Sequence, residues 1–586
     1  MTEEILGAGL AVVFCGVVLL LPACRPGPQD RPPVARVVPK TLEMHGHVRV
    51  DNYFWLNNRD DPAVLEYLQA ENDYTAAKMA HTAPLRGTLF REFKARIRQS
   101  DLSAPYRREG YYYYRRDIEG KDYPVYCRRM GSLEAPEEVM LDVNQVAEGH
   151  KFCSVRGLEV SPGTDLLAYA VDTVGRRFYE IRVKNLRTGE HLPGRIPQVT
   201  GNLVWANDNR TIFYSRQDPQ TLRSHRIYRH VLGADPAGDE LVYEEKDETF
   251  TCHVRETKSR QYVLIASHHT LSAEYRYLDA SNPQGVFRVF LPRQRGHEYG
   301  VDHLGDHFYI RTNHQAKNFR LMRTPVGQTA LERWQEVIPH REDVLLEGFE
   351  LFRGHLVAVE RKAGLIQLRV RPWTGTGEHY LDFGDPAYVA FPSDNHELDT
   401  AVVRYTYSSP TTPTSVYDYD MVTRERKLIK RDEILGYDPA GYRTERLDAP
   451  ARDGKRVPMS LVYRLPLDKD GTRPLLLRGY GSYGNSTEPR FDPYAVSLLD
   501  RGFVYAIAHV RGGQELGRAW YEDGKLLRKK NTFIDFIDCA EHLVREKYVD
   551  PRRTFAWGGS AGGLLMGAVA TMRPDLFTGI IAEVPF

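Results

Sequence analysis

Short apolar runs rich in aromatic residues recur along the middle of this chain, and each is followed by a second run about fourteen residues later. After a first, longer interval, the pairs repeat about every 45 to 50 residues. Polar turns that often contain Gly, Asp or Asn separate the two runs of a pair, as expected for strands joined by hairpins. The pairs begin with YYYYRR at 111, LLAYAVD at 166, IFYSR at 212, YVLIAS at 262, HFYIRT at 307, HLVAVER at 355 and AVVRYTY at 401.

This repeat predicts a propeller. Strand, turn and strand at a constant period is the pattern of propeller blades, each of which packs only against its neighbours. The seven pairs predict a seven-bladed β-propeller over residues 109–435. The alternative is a pair of β-sandwiches, but sandwiches do not keep one spacing over about three hundred residues.

The pattern changes after residue 435. Strand-like apolar runs now alternate with stretches whose apolar residues have the helical period. Strands that alternate with helices predict a parallel α/β sheet, which we expect over residues 436–586. The strand runs are RPLLLRGYG, GFVYAIAH, RTFAW and TGIIAEVPF, and the helical stretches are TFIDFIDCAEHLVREK and GGLLMGAVATM.

The segment WGGSAGGLLMG, residues 557–567, lies between a predicted strand and a predicted helix. A serine on such a sharp turn projects its hydroxyl from the sheet, and only small residues fit around it. Gly558, Gly559, Ala561 and Gly562 meet this requirement. The start of the helix also favours the negative charge that develops in acyl transfer. The sequence therefore predicts Ser560 as a nucleophile, the alternative being a glycine-rich turn without chemistry.

The N-terminal segment, residues 1–30, carries an apolar run that ends in LPAC at Cys24 and is followed by a Pro-rich linker. The run fits a signal sequence or a membrane anchor. LPAC resembles a lipoprotein cleavage box, which predicts lipidation of Cys24 and export to the periplasm or a membrane surface. An uncleaved anchor, ordinary secretion and a misassigned start are the alternatives.

Charge and cysteine content exclude several classes of function. The chain has 79 Lys and Arg against 78 Asp and Glu, so no overall field recruits nucleic acid. Its six cysteines show no CxxC spacing, which argues against a metal site, and no motif implies a cofactor.

Several longer blocks carry a family resemblance. They are PPVARVVPKTLEMHGHVRVDNYFWLNN, RGYGSYG, SLLDRGFVYAIAHVRGGQELGRAWYEDGKLLRKKNTFIDF and GGSAGGLLMG. With these blocks in this order, the chain resembles the prolyl oligopeptidase family of serine peptidases. RGYGSYG and YEDGK favour the oligopeptidase B branch of that family.

The resemblance implies a seven-bladed propeller that caps an α/β-hydrolase domain. It also implies an enzyme that cleaves short peptides and excludes folded proteins. Residues 31–108 would precede the propeller and pack with the hydrolase domain. Ser560 matches the nucleophile, and the backbone N–H of Ala561 and the hydroxyl of Tyr480 match the oxyanion donors, for which a tyrosine O–H is chemically suited. A structural role in sheet packing is the alternative for Tyr480.

Cleavage after Arg or Lys is the preference that the oligopeptidase B branch implies. Of the paired acidic positions that follow GSYG, Glu488 fits, but the second position is Arg490. Glu488 is therefore predicted to contact substrate, with a plain surface role as the alternative. Arg478 stands where the family usually has an uncharged residue, and this departure has no explanation at the level of sequence.

The triad of this family follows the order Ser, Asp, His. All 20 histidines of this chain precede Ser560, and we interpret His509, near the sheet, as structural. We therefore expect the acid and the base beyond Phe586, an incomplete hydrolase domain, and an inactive 586-residue chain. The alternatives are a prolyl-specific or dipeptidyl peptidase of the same family, or a non-catalytic propeller that binds its partners.

Overall fold

The structure, a computed structural model, describes residues 31–586. The predicted leader and its candidate lipidation residue, Cys24, lie outside the described residues. The described residues divide into two compact units, 31–94 and 95–586. Among residues 31–586, no helix has both the length and the apolar character that a membrane crossing needs.

The first unit contains an antiparallel hairpin, β1 (Lys40–Met44) and β2 (His47–Asp51), followed by helix α1 (Pro62–Met79). Helix α2 (Ala83–Arg96) begins in this unit. The carboxylate of Asp61 accepts a hydrogen bond from the N–H of Ala63, which caps the start of α1. The packing of residues 31–108 against the hydrolase domain stays a prediction.

Residues 101–431 of the second unit are almost entirely β-structure, with one short helix, α3 (Val143–Val146). The strands, in chain order, are β3 (Asp101–Leu102), β4 (Tyr106–Arg108), β5 (Tyr111–Asp117), β6 (Val125–Met130), β7 (Glu138–Asp142), β8 (Ser154–Val160), β9 (Leu166–Asp172), β10 (Tyr179–Asn185), β11 (Ile196–Trp205), β12 (Thr211–Gln217), β13 (Ser224–Val231), β14 (Glu240–Glu244), β15 (Thr251–Glu256), β16 (Tyr262–His269), β17 (Ser272–Asp279), β18 (Arg288–Leu291), β19 (Tyr299–Leu304), β20 (His307–Thr312), β21 (Arg320–Pro325), β22 (Gln335–Ile338), β23 (Val344–Leu351), β24 (His355–Lys362), β25 (Leu365–Pro372), β26 (His379–Tyr380), β27 (Val389–Pro392), β28 (Val402–Ser409), β29 (Thr412–Asp420) and β30 (Arg426–Arg431).

Every strand pair predicted from the repeat is present as an antiparallel hairpin. The hairpins are β5–β6, β9–β10, β12–β13, β16–β17, β20–β21, β24–β25 and β28–β29. The period of the apolar runs therefore identifies the central strands of the propeller sheets.

The prediction of seven separate blades is wrong. Between residues 101 and 431 the structure has four four-stranded sheets, one five-stranded sheet and one seven-stranded sheet, β8 to β14. The seven-stranded sheet arises because β11 is ten residues long and pairs on both sides. It pairs with β10 at Ile196 and Val199, and with β12 at Val199 and from Leu203 to Trp205. The second and third strand pairs of the repeat are thus joined into one sheet.

The C-terminal part forms a six-stranded sheet in the order β31-β32-β34-β33-β35-β36. Strands β33 to β36 are mutually parallel where they pair, which confirms the predicted parallel sheet, whereas β31 and β32 are antiparallel. The strands are β31 (Tyr442–Pro450), β32 (Arg456–Arg464), β33 (Leu475–Arg478), β34 (Val504–Ala508), β35 (Thr554–Gly559) and β36 (Gly579–Glu583). The helices are α4 (Ala495–Leu499), α5 (Arg518–Glu522), α6 (Lys530–Arg545) and α7 (Ala561–Met572).

Helix α6 packs against this sheet and fixes the loop that follows β34. Its apolar face buries Phe536, Ile537 and Leu543 in the core of the domain. On the same helix, the buried carboxylate of Asp535 accepts hydrogen bonds from the guanidinium and the backbone N–H of Arg511. Such a paired and hydrogen-bonded buried charge holds the loop in one position.

Candidate active site

Ser560 lies between β35 and α7, as predicted, in a backbone conformation that few residues other than glycine adopt. Its φ is 56° and its ψ is −120°. Positive φ in a residue with a side chain is uncommon and carries strain, which clusters at functional turns. The turn is held by hydrogen bonds from the Ser560 N–H to the Glu583 carbonyl, 2.9 Å, and from the Gly563 N–H to the Ser560 carbonyl, 2.8 Å.

The glycines around Ser560 are not equivalent. A Cβ atom added at Gly558 would lie 2.4 Å from the carbonyl oxygen of Gly562, and one at Gly562 would lie 2.8 Å from that of Gly479. These positions have no room for a side chain. A Cβ at Gly559 would meet Glu583 only at 3.6 Å, which is an ordinary contact. The expectation that Gly559 is also required by crowding therefore has no steric support.

Tyr480 follows β33 and lies beside the serine turn. A Cβ added at Gly562 would be 3.4 Å from Cδ2 of the Tyr480 ring, so the ring passes close to this glycine. Ala561 is the first residue of α7, and the first N–H groups of a helix have no acceptor within the helix. The structure thus brings the Tyr480 ring and the Ala561 N–H to the same turn as Ser560, and their role as oxyanion donors stays a prediction.

Lys529 supports the loop that carries Tyr480. Its ammonium donates to the hydroxyl oxygen of Ser482, 2.7 Å, and to the carbonyl oxygen of Gly481, 2.5 Å. No carboxylate of residues 31–586 forms an ion pair with it, and burial lowers the pKa of its amine to about 8. The Lys529 ammonium, which has no counter-ion among residues 31–586, is therefore held at the carbonyl of Gly481, the residue after Tyr480.

A cavity of about 660 Å³ opens beside this turn. Tyr480 and Gly559 lie at its edge, and the loop of residues 485–493 forms one wall. Its charged lining residues are Arg478, Glu488, Arg490, Asp492 and Glu583. The cavity is large enough for one or two side chains of a peptide, since small-molecule sites start at about 300 Å³.

Glu488 is in this cavity wall, but its carboxylate is already paired. It accepts hydrogen bonds from the guanidinium of Arg361 on propeller strand β24. Arg361 also donates from Nε to Oε1 of Glu347, 2.5 Å away. Burial raises the pKa of Glu488, and the charge of Arg361 opposes that rise. The predicted substrate contact of Glu488 stays a prediction.

No histidine among residues 31–586 forms a hydrogen bond with Ser560. His509 is buried at the end of β34, where its Nε2 is 2.8 Å from the hydroxyl of Ser460 and its Nδ1 is 3.7 Å from Glu515. These contacts give it a structural role. The described residues also contain no cluster of three His, Cys, Asp or Glu side chains arranged to hold a metal ion.

Family models match most of the chain. Residues 32–432 match the prolyl oligopeptidase N-terminal beta-propeller domain, and residues 489–586 match the prolyl oligopeptidase family model. The chain belongs to the prolyl oligopeptidase family. Members of this family are serine peptidases, which agrees with a serine on the strained turn between β35 and α7.

Individual relatives in the prolyl oligopeptidase family match over nearly the whole chain. Dipeptidyl aminopeptidase BI of Pseudoxanthomonas mexicana is 46% identical over 95% of this chain and 79% of its own length. Protease 2 of Moraxella lacunata is 36% identical over 94% of this chain and 81% of its own length. The solved structure of oligopeptidase B from Leishmania major matches with a TM-score of 0.90 and 37% identity, over 95% of this chain and 82% of that one. The chain is a serine peptidase of the family, close to oligopeptidase B.

Some residues of the site gave no local signal in the sequence. Arg361 lies in a propeller strand 127 positions before its partner Glu488, so no motif connects them. Lys529 lies inside one of the family-like blocks, but no feature of the block predicts a role for it. Only the close approach of separate segments in the folded chain identifies either residue.

Proposed function

We propose that this chain is a serine oligopeptidase that hydrolyses short peptides after Arg or Lys through an acyl-enzyme on Ser560. The observation that carries the proposal is the turn itself. A serine at φ 56° stands at the start of a helix, with Tyr480 packed beside the same turn. Strain of this kind persists only where the surrounding structure imposes it.

The chemistry follows from this placement. The Ser560 hydroxyl attacks the scissile carbonyl, and the oxyanion that forms accepts hydrogen bonds from the Ala561 N–H and the Tyr480 hydroxyl. The leaving amine departs with the proton that the general base took from Ser560, and water then hydrolyses the ester. A general base must accept the serine proton, and no candidate for it contacts Ser560 among residues 31–586. The inactivity of the 586-residue chain stays a prediction.

The proposed preference for Arg or Lys is supported by the relatives. The solved structures that resemble this chain at 37% and 34% identity are oligopeptidase B from Leishmania major and from Trypanosoma brucei. The restriction to short peptides is supported by the propeller, which contacts the cavity wall through Arg361 and its partner Glu488. We also propose export, because of the apolar segment that ends at Cys24, outside the described residues.

The test is a set of fluorogenic peptides that differ only in the residue before the cut, Arg, Lys, Pro or Ala, each made with a blocked and with a free N-terminus. The complete gene product and its Ser560→Ala variant are assayed side by side. We expect turnover of the Arg and Lys peptides, at least tenfold above that of Pro, and none by the variant. Cleavage restricted to unblocked peptides would instead indicate a dipeptidyl peptidase, and faster cleavage after Pro would contradict the proposed preference.

A further inference from the structure

Two arginines in the cavity wall have no carboxylate partner within residues 31–586. The guanidinium of Arg478 lies 4.6 Å from the ring centroid of Trp557, and that of Arg490 lies 5.8 Å from the ring centroid of Phe391 in β27. Aromatic faces attract a cation but do not neutralise it. Both cations therefore keep their fork of N–H donors available to a ligand.

The carboxylates of the same cavity, in contrast, are all engaged. Glu488 is held by Arg361. Asp492 accepts hydrogen bonds from the N–H groups of Tyr494, 2.9 Å, and Ala495, 3.4 Å. Glu583 accepts one from the indole N–H of Trp557, 3.2 Å. Arg478 and Arg490 are thus the charged residues of this lining that lack a partner of opposite charge within residues 31–586.

Two buried hydroxyls in the lining of the same cavity also indicate a ligand position. The side-chain oxygens of Ser486 and Tyr505 are buried. That of Ser486 makes no hydrogen bond within the described residues, and that of Tyr505 has the guanidinium of Arg478 nearby but no well-formed hydrogen bond there. Burial raises the pKa of Tyr505, and the nearby charge of Arg478 opposes that rise. A buried hydroxyl without a partner is energetically unfavourable, so such groups usually mark a ligand or water position.

We infer that this cavity is a recognition site for a carboxylate of the peptide substrate, bound by Arg478 and Arg490 with the hydroxyls of Tyr505 and Ser486. The inference rests on the proposed peptidase function. Guanidinium groups bind carboxylates through two parallel hydrogen bonds, and a tyrosine O–H adds a third donor. The two departures from the family pattern at Arg478 and Arg490 then have one common explanation.

The charge of the lining favours a carboxylate over a phosphoryl group. Arg361 neutralises Glu488, so Arg478 and Arg490 stand against Asp492 and Glu583. A carboxylate adds one negative charge beside these two acids. A phosphoryl group carries nearly two negative charges and would meet more repulsion from Asp492 and Glu583.

The experiment measures binding and not turnover, so that it is independent of the catalytic proposal. The Ser560→Ala variant of the complete gene product is titrated with four fluorescent peptides of one sequence. An internal residue before a single Arg is either Glu or its isostere Gln, and each peptide ends in a free acid or an amide. The difference in affinity between the Glu and Gln peptides reports recognition of a side-chain carboxylate. The difference between the free-acid and amide peptides reports recognition of a terminal carboxylate.

We expect one of the two carboxylates to tighten binding at least fivefold. In the Ser560→Ala background, Arg478→Gln and Arg490→Gln should each reduce the ratio of the affinity for the carboxylate peptide to that for its neutral counterpart. The double variant should bring this ratio to one. Arg187→Gln is the matched control, because Arg187 is 77% exposed in a propeller turn and does not line the cavity. It should leave the ratio unchanged.

Equal or weaker binding of both carboxylate-bearing peptides would overturn the inference, and so would a preference that survives in the double variant. A loss of hydrolysis by the wild-type protein with the carboxylate preference intact would instead count against the proposed peptidase function alone. Circular dichroism of each variant confirms that a lost preference does not come from unfolding.

Discussion

Arg361 of the propeller and Glu488 of the catalytic domain form a buried ion pair at the wall of the cavity beside Ser560. Their side chains are only 2% and 14% exposed. Because Glu347 also accepts a hydrogen bond from Arg361, one guanidinium holds two carboxylates. The wall of the cavity therefore depends on a residue of the other domain.

Removal of this arginine should be costly. We expect Arg361→Met to lower the free energy of unfolding by about 3–5 kcal/mol, because it leaves two buried carboxylates without their cation. Chemical denaturation measures the change, and Arg353→Met, at a site 69% exposed, is the control. Adding Glu488→Gln to Arg361→Met should recover part of the loss. A change no larger than that of the control would contradict the role of this pair.

The crowding around Ser560 predicts opposite outcomes for adjacent glycines. Gly558→Ala places a methyl group 2.4 Å from a carbonyl oxygen, whereas Gly559→Ala places one at 3.6 Å from its nearest neighbours. We expect Gly558→Ala to cost about 1–3 kcal/mol of stability, the usual range for overpacking. Gly559→Ala should change the melting temperature by little. Equal effects of the two substitutions would show that the described turn is wrong.

The sequence predicted the local elements well and the connections between distant segments poorly. The strand pairs, the parallel sheet and the serine turn follow from periodicity and from glycine chemistry, which act over a few residues. The merging of two repeats through β11 depends on the length and register of a single strand. The pairing of Glu488 with Arg361 depends on how the propeller and the catalytic domain contact each other. The arrangement of charges in the cavity likewise depends on segments that are distant in sequence.

Loss of the Tyr480 hydroxyl should affect the chemical step. Removal of one oxyanion donor typically lowers kcat about 10²- to 10³-fold, and we expect this range for Tyr480→Phe, with little change in KM. Steady-state kinetics of the complete gene product on the blocked Arg peptide give both constants. Tyr483→Phe, at an exposed neighbouring position, is the control. A fall in kcat of less than threefold for Tyr480→Phe would assign this residue to packing alone.

The amine of Lys529 predicts a pH dependence of stability. Burial lowers its pKa from 10.5 to about 8 in the folded chain. Between pH 8 and 10.5 the unfolded chain therefore holds a proton that the folded chain has lost, so the stability contributed by this group rises with pH.

We expect the wild-type melting temperature to rise relative to that of Lys529→Met as the pH goes from about 7.5 to 10. The exposed neighbour Lys530 supplies the control variant, Lys530→Met. The difference in melting temperature between wild type and this variant should not change over the same pH range. A difference between wild type and Lys529→Met that is constant or falls over this range would refute the assignment of a half-buried amine without a counter-ion.

The central claim, that Ser560 is an activated nucleophile, is tested most directly by covalent trapping. The complete gene product is treated with a peptidyl phosphonate that carries Arg before the reactive phosphorus, and the adduct is located by mass spectrometry of the digested protein. The account predicts one adduct, on Ser560, which forms at a rate that falls by at least tenfold in Tyr480→Phe and is absent from Ser560→Ala. An adduct on another residue, or labelling that persists in Ser560→Ala, would contradict it.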